Sequence, residues 1–238
     1  TDLPAFYERH GGSVISSTIK KYVYIIATLN GQESAEITSS DYRAFFSYRP
    51  GQRLLWDGDL ALPKALLHQF GVERGIHLFI ASEVPPGTGL GSSSAVAVGL
   101  AKTLATLCGL NLSRAELAEV ACYVEIDKLG MPIGKQDQYA SAFGGLNTIR
   151  FERESVEVQS LRLSPELLRQ LEENIMLFFI GTSRNSASIL TEQRRASTEE
   201  GSTTVTALHA IKGLVGEVQE ALKEGDFAHF GQLLDRAW

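Results

Sequence analysis

The sequence is short of features that mark several large classes of protein. Cysteine is nearly absent, at 2 of 238 residues, Cys108 and Cys122. So few exclude a disulfide framework and fit a reducing compartment, the cytoplasm. Both sit in apolar helical patterns, which predicts buried free thiols. No apolar run approaches the ~18 residues of a membrane-spanning helix, so no membrane partner is expected. Positive charge is in deficit, with 22 Lys and Arg against 28 Asp and Glu and a net charge of −6. A surface for duplex nucleic acid is normally basic, so nucleic acid is not an expected partner either. There is no internal repeat and no low-complexity linker. An initiator Met is missing: the chain opens Thr1-Asp2-Leu3-Pro4 and stops at Trp238, inside a helical pattern that starts near Asp226. Both ends are therefore expected to be cut.

What is there reads as a soluble globular enzyme. The hydrophobic fraction is 44% and the charged fraction 21%, both ordinary. The length suits one large domain or two smaller ones sharing a cleft. The first half is strand-rich. Residues 13–29 alternate as one long strand or a hairpin, residues 35–48 form a second β region, and residues 76–84 alternate as a strand. A short helix is expected over 59–70, stopped by Gly71. Later, Ser113-Arg114-Ala115-Glu116 is a capping-box pattern opening a helix that runs to about Leu129. A loop from Gly134 leads into a short helix closed by Gly144-Gly145, and strands follow near 147–151 and 156–161. Ser164-Pro165-Glu166 starts another helix, with Pro at the first helical position. Residues 175–180 read as a buried apolar strand, and the chain from about Ala187 is helical. Strands and helices mix without the regular alternation of a parallel sheet, so the expected class is α+β.

The sharpest local signal is Pro85-Pro86-Gly87-Thr88-Gly89-Leu90-Gly91, followed by Ser92-Ser93-Ser94 and a helix rich in small apolar residues. Glycines let a backbone approach a ligand closely and take positive φ. A helix start offers unpaired N–H groups and the positive end of the dipole. Together they suit a polyphosphate, with serine hydroxyls free to cap the helix or ligate Mg²⁺. The turn is not a Walker A loop, since Gly91 is followed by serines rather than Lys-Ser/Thr. It is not a dinucleotide fingerprint either, because no acidic residue ends a second strand about 20 residues on. Further along, Asp137 stands in the polar cluster Gly134-Lys135-Gln136-Asp137-Gln138-Tyr139. On the residues alone it is a proton acceptor or the N-cap of the helix that starts there.

The run from Pro86 to Ala95 resembles the phosphate-binding motif of the GHMP kinases, the galacto-, homoserine, mevalonate and phosphomevalonate kinases. Residues 130–139 are similar to the segment of galactokinase-like members that carries the catalytic aspartate. Several expectations follow from the resemblance. The fold would be a ribosomal protein S5 domain 2-like N-terminal domain over 1–161, lacking its first residues, plus the incomplete start of a C-terminal α+β domain over 162–238. ATP and Mg²⁺ would be the cofactors. The triphosphate would lie on Pro86, Gly87, Gly89, Leu90, Gly91, Ser92, Ser93 and Ser94. Ser92 or Ser93 would bind Mg²⁺ together with Glu125, whose other reading is a solvated helix carboxylate. Asp137 would be catalytic, assisted by Lys135. Thr1-Asp2 followed by Gly11-Gly12 looks like the tail of the family's first motif, which makes Asp2 a ligand for sugar hydroxyls. No pattern marks the adenine site, although Trp56 is a possible member.

Within the family, Thr1-Asp2-Leu3-Pro4, His10-Gly11-Gly12, residues 19–24 and residues 134–139 look closest to the D-glycero-D-manno-heptose 7-phosphate kinases, which phosphorylate an anomeric hydroxyl. Residues 181–187 also resemble a segment of that branch. A substrate that already bears a phosphate calls for a further cation, and Arg184, with Lys135, stands in a loop of the right kind. The rival readings are a fucokinase-like or other neutral-sugar 1-kinase, and a GHMP homologue that senses sugar and ATP without turnover. The presence of both Glu125 and Asp137 weighs against the sensor. The expected partners are ATP and a small sugar or sugar phosphate. The sequence carries no decisive mark of an oligomer.

Overall fold

The structure is a computed structural model that describes residues 1–238 except 32–33, 50–51, 53–54, 73–74, 179–185 and 200–201. Its elements confirm the α+β expectation. In chain order they are α1 (Pro4–His10), β1 (Gly12–Ser17), β2 (Val23–Leu29), β3 (Ala35–Ser39), β4 (Ala44–Tyr48), α2 (Ala61–Gln69), β5 (Ile76–Ser82), α3 (Ser92–Leu107) and α4 (Arg114–Cys122). A π-helical stretch, Tyr123–Lys128, continues α4. Then come α5 (Gln136–Phe143), β6 (Leu146–Phe151), β7 (Val156–Ser160), α6 (Pro165–Asn174), α7 (Ser186–Ala196), α8 (Thr203–Glu224) and α9 (Phe227–Ala237).

The chain forms two compact units. The first contains Thr1–Thr18 and most of the chain from Gly144 onward, and the second is built on Ile19–Phe143. The division expected after residue 161 thus falls inside the first unit, between β7 and α6. The reason is strand pairing: β1 runs antiparallel to β6, from Gly12 opposite Phe151 to Ser17 opposite Leu146, which ties the first residues to the later ones.

The second unit holds a four-stranded sheet in the order β2-β5-β3-β4. β3 and β4 form the hairpin expected over 35–48, and β3 lies parallel to β5. Alternate residues of β3 and β5, Ile37, Ile76 and Leu78, are fully buried against Leu66 and Leu67 of α2 and Leu100 and Leu104 of α3. Burying each such side chain contributes roughly 1.5–3 kcal/mol. This core makes β5 and α3 a rigid pair, and the glycine-rich turn joins one to the other. Gly99 lets α3 press on β2, since a Cβ there would meet Ile25 at 3.1 Å.

The first unit holds the three-stranded sheet β1-β6-β7. Leu146, Leu161, Leu171 and Leu222 form one buried cluster, and Leu214, Ala221 and Leu233 another. The start of α6 is as expected, with Leu167 N donating to Ser164 Oγ at 3.2 Å. Among the described residues, no helix is long and apolar enough to cross a membrane.

Three local expectations need correction. Residues 13–29 are neither one strand nor a hairpin: β1 and β2 belong to different sheets. β1 ends where Thr18 exchanges bonds with Gly145, N to O at 3.0 Å and, in return, Gly145 N to Thr18 Oγ1 at 2.8 Å. Of the buried strand expected over 175–180, residues 179–180 lie outside the described residues, and residues 175–178 are not a buried strand. Ile175, Met176, Leu177 and Phe178 are 53–78% exposed, and among the described residues no strand lies alongside to complete a ladder. Finally, Cys122 is buried but Cys108 is exposed. Cys108 is the C-cap of α3, where the chain turns away from the core.

Candidate active site

The glycine-rich turn leaves β5 and passes through positive φ at Gly87 (77°), Gly89 (75°) and Gly91 (69°). Gly91 is the N-cap of α3, and no side chain caps that helix. The serines expected to cap it lie inside the first turn instead. Gly91 in the left-handed conformation starts the helix through its carbonyl, which accepts from Ala95 N at 2.9 Å. The N–H groups at the start of α3 are therefore left without a side-chain cap, at the positive end of the dipole, which is an arrangement for an anion.

Released from capping, Ser93 turns to a carboxylate, its Oγ donating to Glu125 Oε1 at 2.6 Å. Glu125 is fully buried, so it is not a solvated helix carboxylate. It lies in the π-helical stretch, a rare geometry that often marks functional positions. Gln138 Nε2 donates to Glu125 Oε2 at 2.7 Å. Burial pushes the Glu125 carboxyl above its ordinary range, while hydrogen bonds from Ser93, Gln138 and Ser94 pull it down and the charge on Asp137 raises it. Ser92 and Ser93 both line the cavity described below, and Ser93 is the one bonded to Glu125.

Asp137 lies in the first turn of α5 and packs against the glycine-rich turn. A Cβ built on Gly91 would lie 3.1 Å from Asp137 Cγ, so a hydrogen at that position is what admits the carboxylate. Lys135 is held by Glu119 of α4, its Nζ 3.2 and 3.1 Å from the two carboxylate oxygens. Tyr139 donates its hydroxyl to the same Glu119. Glu119 thus grips the residues two before and two after Asp137. Sequence reasoning missed Glu119, which stands in no pattern that marks it, and gave no role to Gln138, although it lies in the cluster around Asp137.

A cavity of about 220 Å³ adjoins the turn. Pro86, Ser92, Ser93 and Val96 line one side, and Leu60, Ile80, Val84 and Met131 supply apolar surface. Trp56 is not among the lining residues: its ring meets His68 edge-on at 5.4 Å and lies 4.9 Å from Lys128 Nζ. Among the described residues, no group of three or more His, Cys, Asp or Glu stands together as a metal site. Two protein oxygens, from Ser93 and Glu125, still fit a hard cation that takes its remaining ligands from phosphate and water, as Mg²⁺ does. Asp2 is largely buried and belongs to the first unit, apart from this cluster in the chain's division. Arg184 lies outside the described residues.

An open helix start after a glycine turn, a buried carboxylate bonded to a serine, and a second carboxylate against the turn suit a phosphate-bearing ligand. The comparisons fix the class. Residues 60–145 match the GHMP kinases N terminal domain. The chain is 31% identical to D-glycero-alpha-D-manno-heptose 7-phosphate kinase of Campylobacter jejuni, over the whole of this chain and 71% of that protein. It superposes with a TM-score of 0.84 on a crystal structure described as a D-glycero-D-manno-heptose 1-phosphate kinase from Bacteroides thetaiotaomicron, at 27% identity, covering 100% of this chain and 72% of that one. Lactococcus lactis galactokinase, in a structure with galactose, shares the fold at a TM-score of 0.67 and 18% identity, covering 99% and 70%. The chain belongs to the GHMP kinase family, whose members are ATP-dependent phosphotransferases.

Proposed function

We propose that the protein is a sugar kinase that transfers the γ-phosphate of ATP to the anomeric hydroxyl of D-glycero-D-manno-heptose 7-phosphate. The observation that carries the reading is the convergence on one turn of the uncapped start of α3, the Ser93–Glu125 pair at 2.6 Å and the Asp137 carboxylate. The choice of sugar rests on the Campylobacter relative, and both heptose kinases above are named for an acceptor that carries a phosphate.

In this reading the backbone of Gly87–Ser94 holds the triphosphate and the adjoining cavity takes the nucleoside. Ser93 and Glu125 would hold Mg²⁺, which when bound supplies charge neutralisation at the phosphate oxygens. Asp137 orients the sugar hydroxyl and accepts its proton as the oxygen attacks the γ-phosphorus. The bond to the bridging oxygen breaks, and ADP leaves with its electrons. Positioning and electrostatics carry most of the rate. Asp2 binds sugar hydroxyls. With Lys135 engaged by Glu119, Arg184 is the cation we assign to the 7-phosphate.

The test is phosphoryl transfer from ATP to heptose 7-phosphate, heptose 1-phosphate, free heptose, fucose and galactose in parallel, read by phosphorus NMR. A new anomeric phosphate on heptose 7-phosphate alone supports the proposal, and an increase in the KM for that sugar in Arg184→Ala supports the phosphate contact. Transfer to a neutral sugar discards the phosphate pocket. ATP binding without transfer to any of them favours the sensor.

A further inference from the structure

One group in the cluster has a use that the proposed mechanism leaves unassigned. Gln138 follows Asp137 in the first turn of α5 and is fully buried. Its Nε2 donates to Glu125 Oε2 at 2.7 Å, yet its Oε1 is buried without a hydrogen-bond partner among the described residues. A buried acceptor left unsatisfied costs about 1–3 kcal/mol. Flipping the amide would set Oε1 against the carboxylate oxygen, which is unfavourable while Glu125 is ionised, the form that binds a cation. Glu125 therefore fixes which way Gln138 points, and the spare acceptor awaits a donor that the described residues do not supply.

We infer that Gln138 is a positioning residue for the Glu125 carboxylate, holding Oε2 so that Oε1, beside Ser93 Oγ, serves a hydrated divalent cation, with Gln138 Oε1 accepting from one of that cation's waters. This rests on the kinase reading above. The chemistry is consistent: Mg²⁺ keeps several waters, and each is an O–H donor of the kind the orphan acceptor lacks. The arrangement also places the holder of the cation's carboxylate next to the proton acceptor on one turn. That turn is clamped from outside by Glu119 through Lys135 and Tyr139.

The experiment measures Mn²⁺ binding by electron paramagnetic resonance, with a non-hydrolysable ATP analogue present, alongside the Mg²⁺ dependence of turnover. Gln138→Leu removes the grip and the acceptor together. Loss of a group that orients a metal ligand typically weakens metal affinity 10- to 100-fold. We expect Mn²⁺ binding at least about tenfold weaker, an equal rise in the Mg²⁺ needed for half-maximal rate, and an unchanged sugar KM. Gln138→Met, uncharged and of nearly the same size, keeps the packing and should weaken the metal in the same sense, so it carries the test if the leucine variant does not fold. Folded variants of both kinds that bind Mn²⁺ as tightly as the unmodified protein overturn the inference alone. An unmodified protein that binds no Mn²⁺, or a Glu125→Gln variant that binds it undiminished, overturns the inference and the kinase site together.

Discussion

Two helices of the second unit begin at serines and put them to opposite uses. At α4, Ser113 closes a full capping box: Glu116 N donates to Ser113 Oγ at 3.2 Å, and Ser113 N donates to Glu116 Oε2 at 2.7 Å. The helix thereby satisfies two of its own orphan donors. At α3, a left-handed glycine takes the cap position, no side chain closes the end, and Ser93 is spent on Glu125. Local chemistry of nearly the same composition therefore yields a stability device in one place and a ligand site in the other. The difference is made by Gly91 and by a carboxylate that arrives from a distant part of the chain.

That contrast can be broken in several ways. The largest effect is expected at Ser93. Ser93→Ala removes a donor to Glu125 and a cation ligand, so turnover should fall by about 10²-fold or more, as for loss of one electrostatic group in other enzymes, with a stability loss of about 1–3 kcal/mol from the buried carboxylate left short of a donor. Unchanged kinetics would mean that the Ser93–Glu125 bond is only structural. Next is Gly91→Ala. A residue other than glycine at φ 69° is strained by about 1–3 kcal/mol, and its Cβ would press on Asp137. Both stability and kcat should drop, measured by thermal unfolding and steady-state assay; a loss of stability alone would detach Asp137 from the turn.

The smallest effect belongs to the self-capped helix. Ser113→Ala should cost about 1 kcal/mol of stability with kcat intact. Its partner Glu116 adds a pH signature. Hydrogen bonds from Ser113 hold that carboxyl below its ordinary range. The folded state thus favours the ionised form. The contribution is present above the ordinary carboxylate value and is lost as pH falls through the lower folded value. Glu116→Gln should flatten that acid limb of the stability curve, and an identical limb in both proteins would contradict the cap.

What the sequence revealed divides along the same line. The strand, glycine turn and helix around residues 76–107, the capping box at Ser113 and the helix start at Ser164 were legible because each rests on neighbours in the chain. Long-range pairing was not. Nothing in residues 13–29 tells that β1 will find β6 and leave β2 to β5, and the apolar run at 175–178 reads as a strand because composition does not reveal whether a partner strand lies beside it. The site follows the same rule. Asp137, Glu125 and the serines stood out through family resemblance, yet only packing shows that Glu125 is buried or that Ser93, not Ser92, is bonded to it. The roles of Glu119 and Gln138 could not be read, although Gln138 lies in the cluster around Asp137, because they exist only once α4, α5 and the π-helical stretch meet.

The most direct test of the central claim, that the open start of α3 with Asp137 is a phosphotransfer site, is to compare Asp137→Asn with the unmodified protein. ATP affinity would be measured by calorimetry and turnover with heptose 7-phosphate by phosphorus NMR. ATP affinity should be near-unchanged and turnover lowered by about 10²–10⁴-fold, the usual weight of a positioned acid–base group. Turnover close to that of the unmodified protein would remove Asp137 from the mechanism and contradict the account.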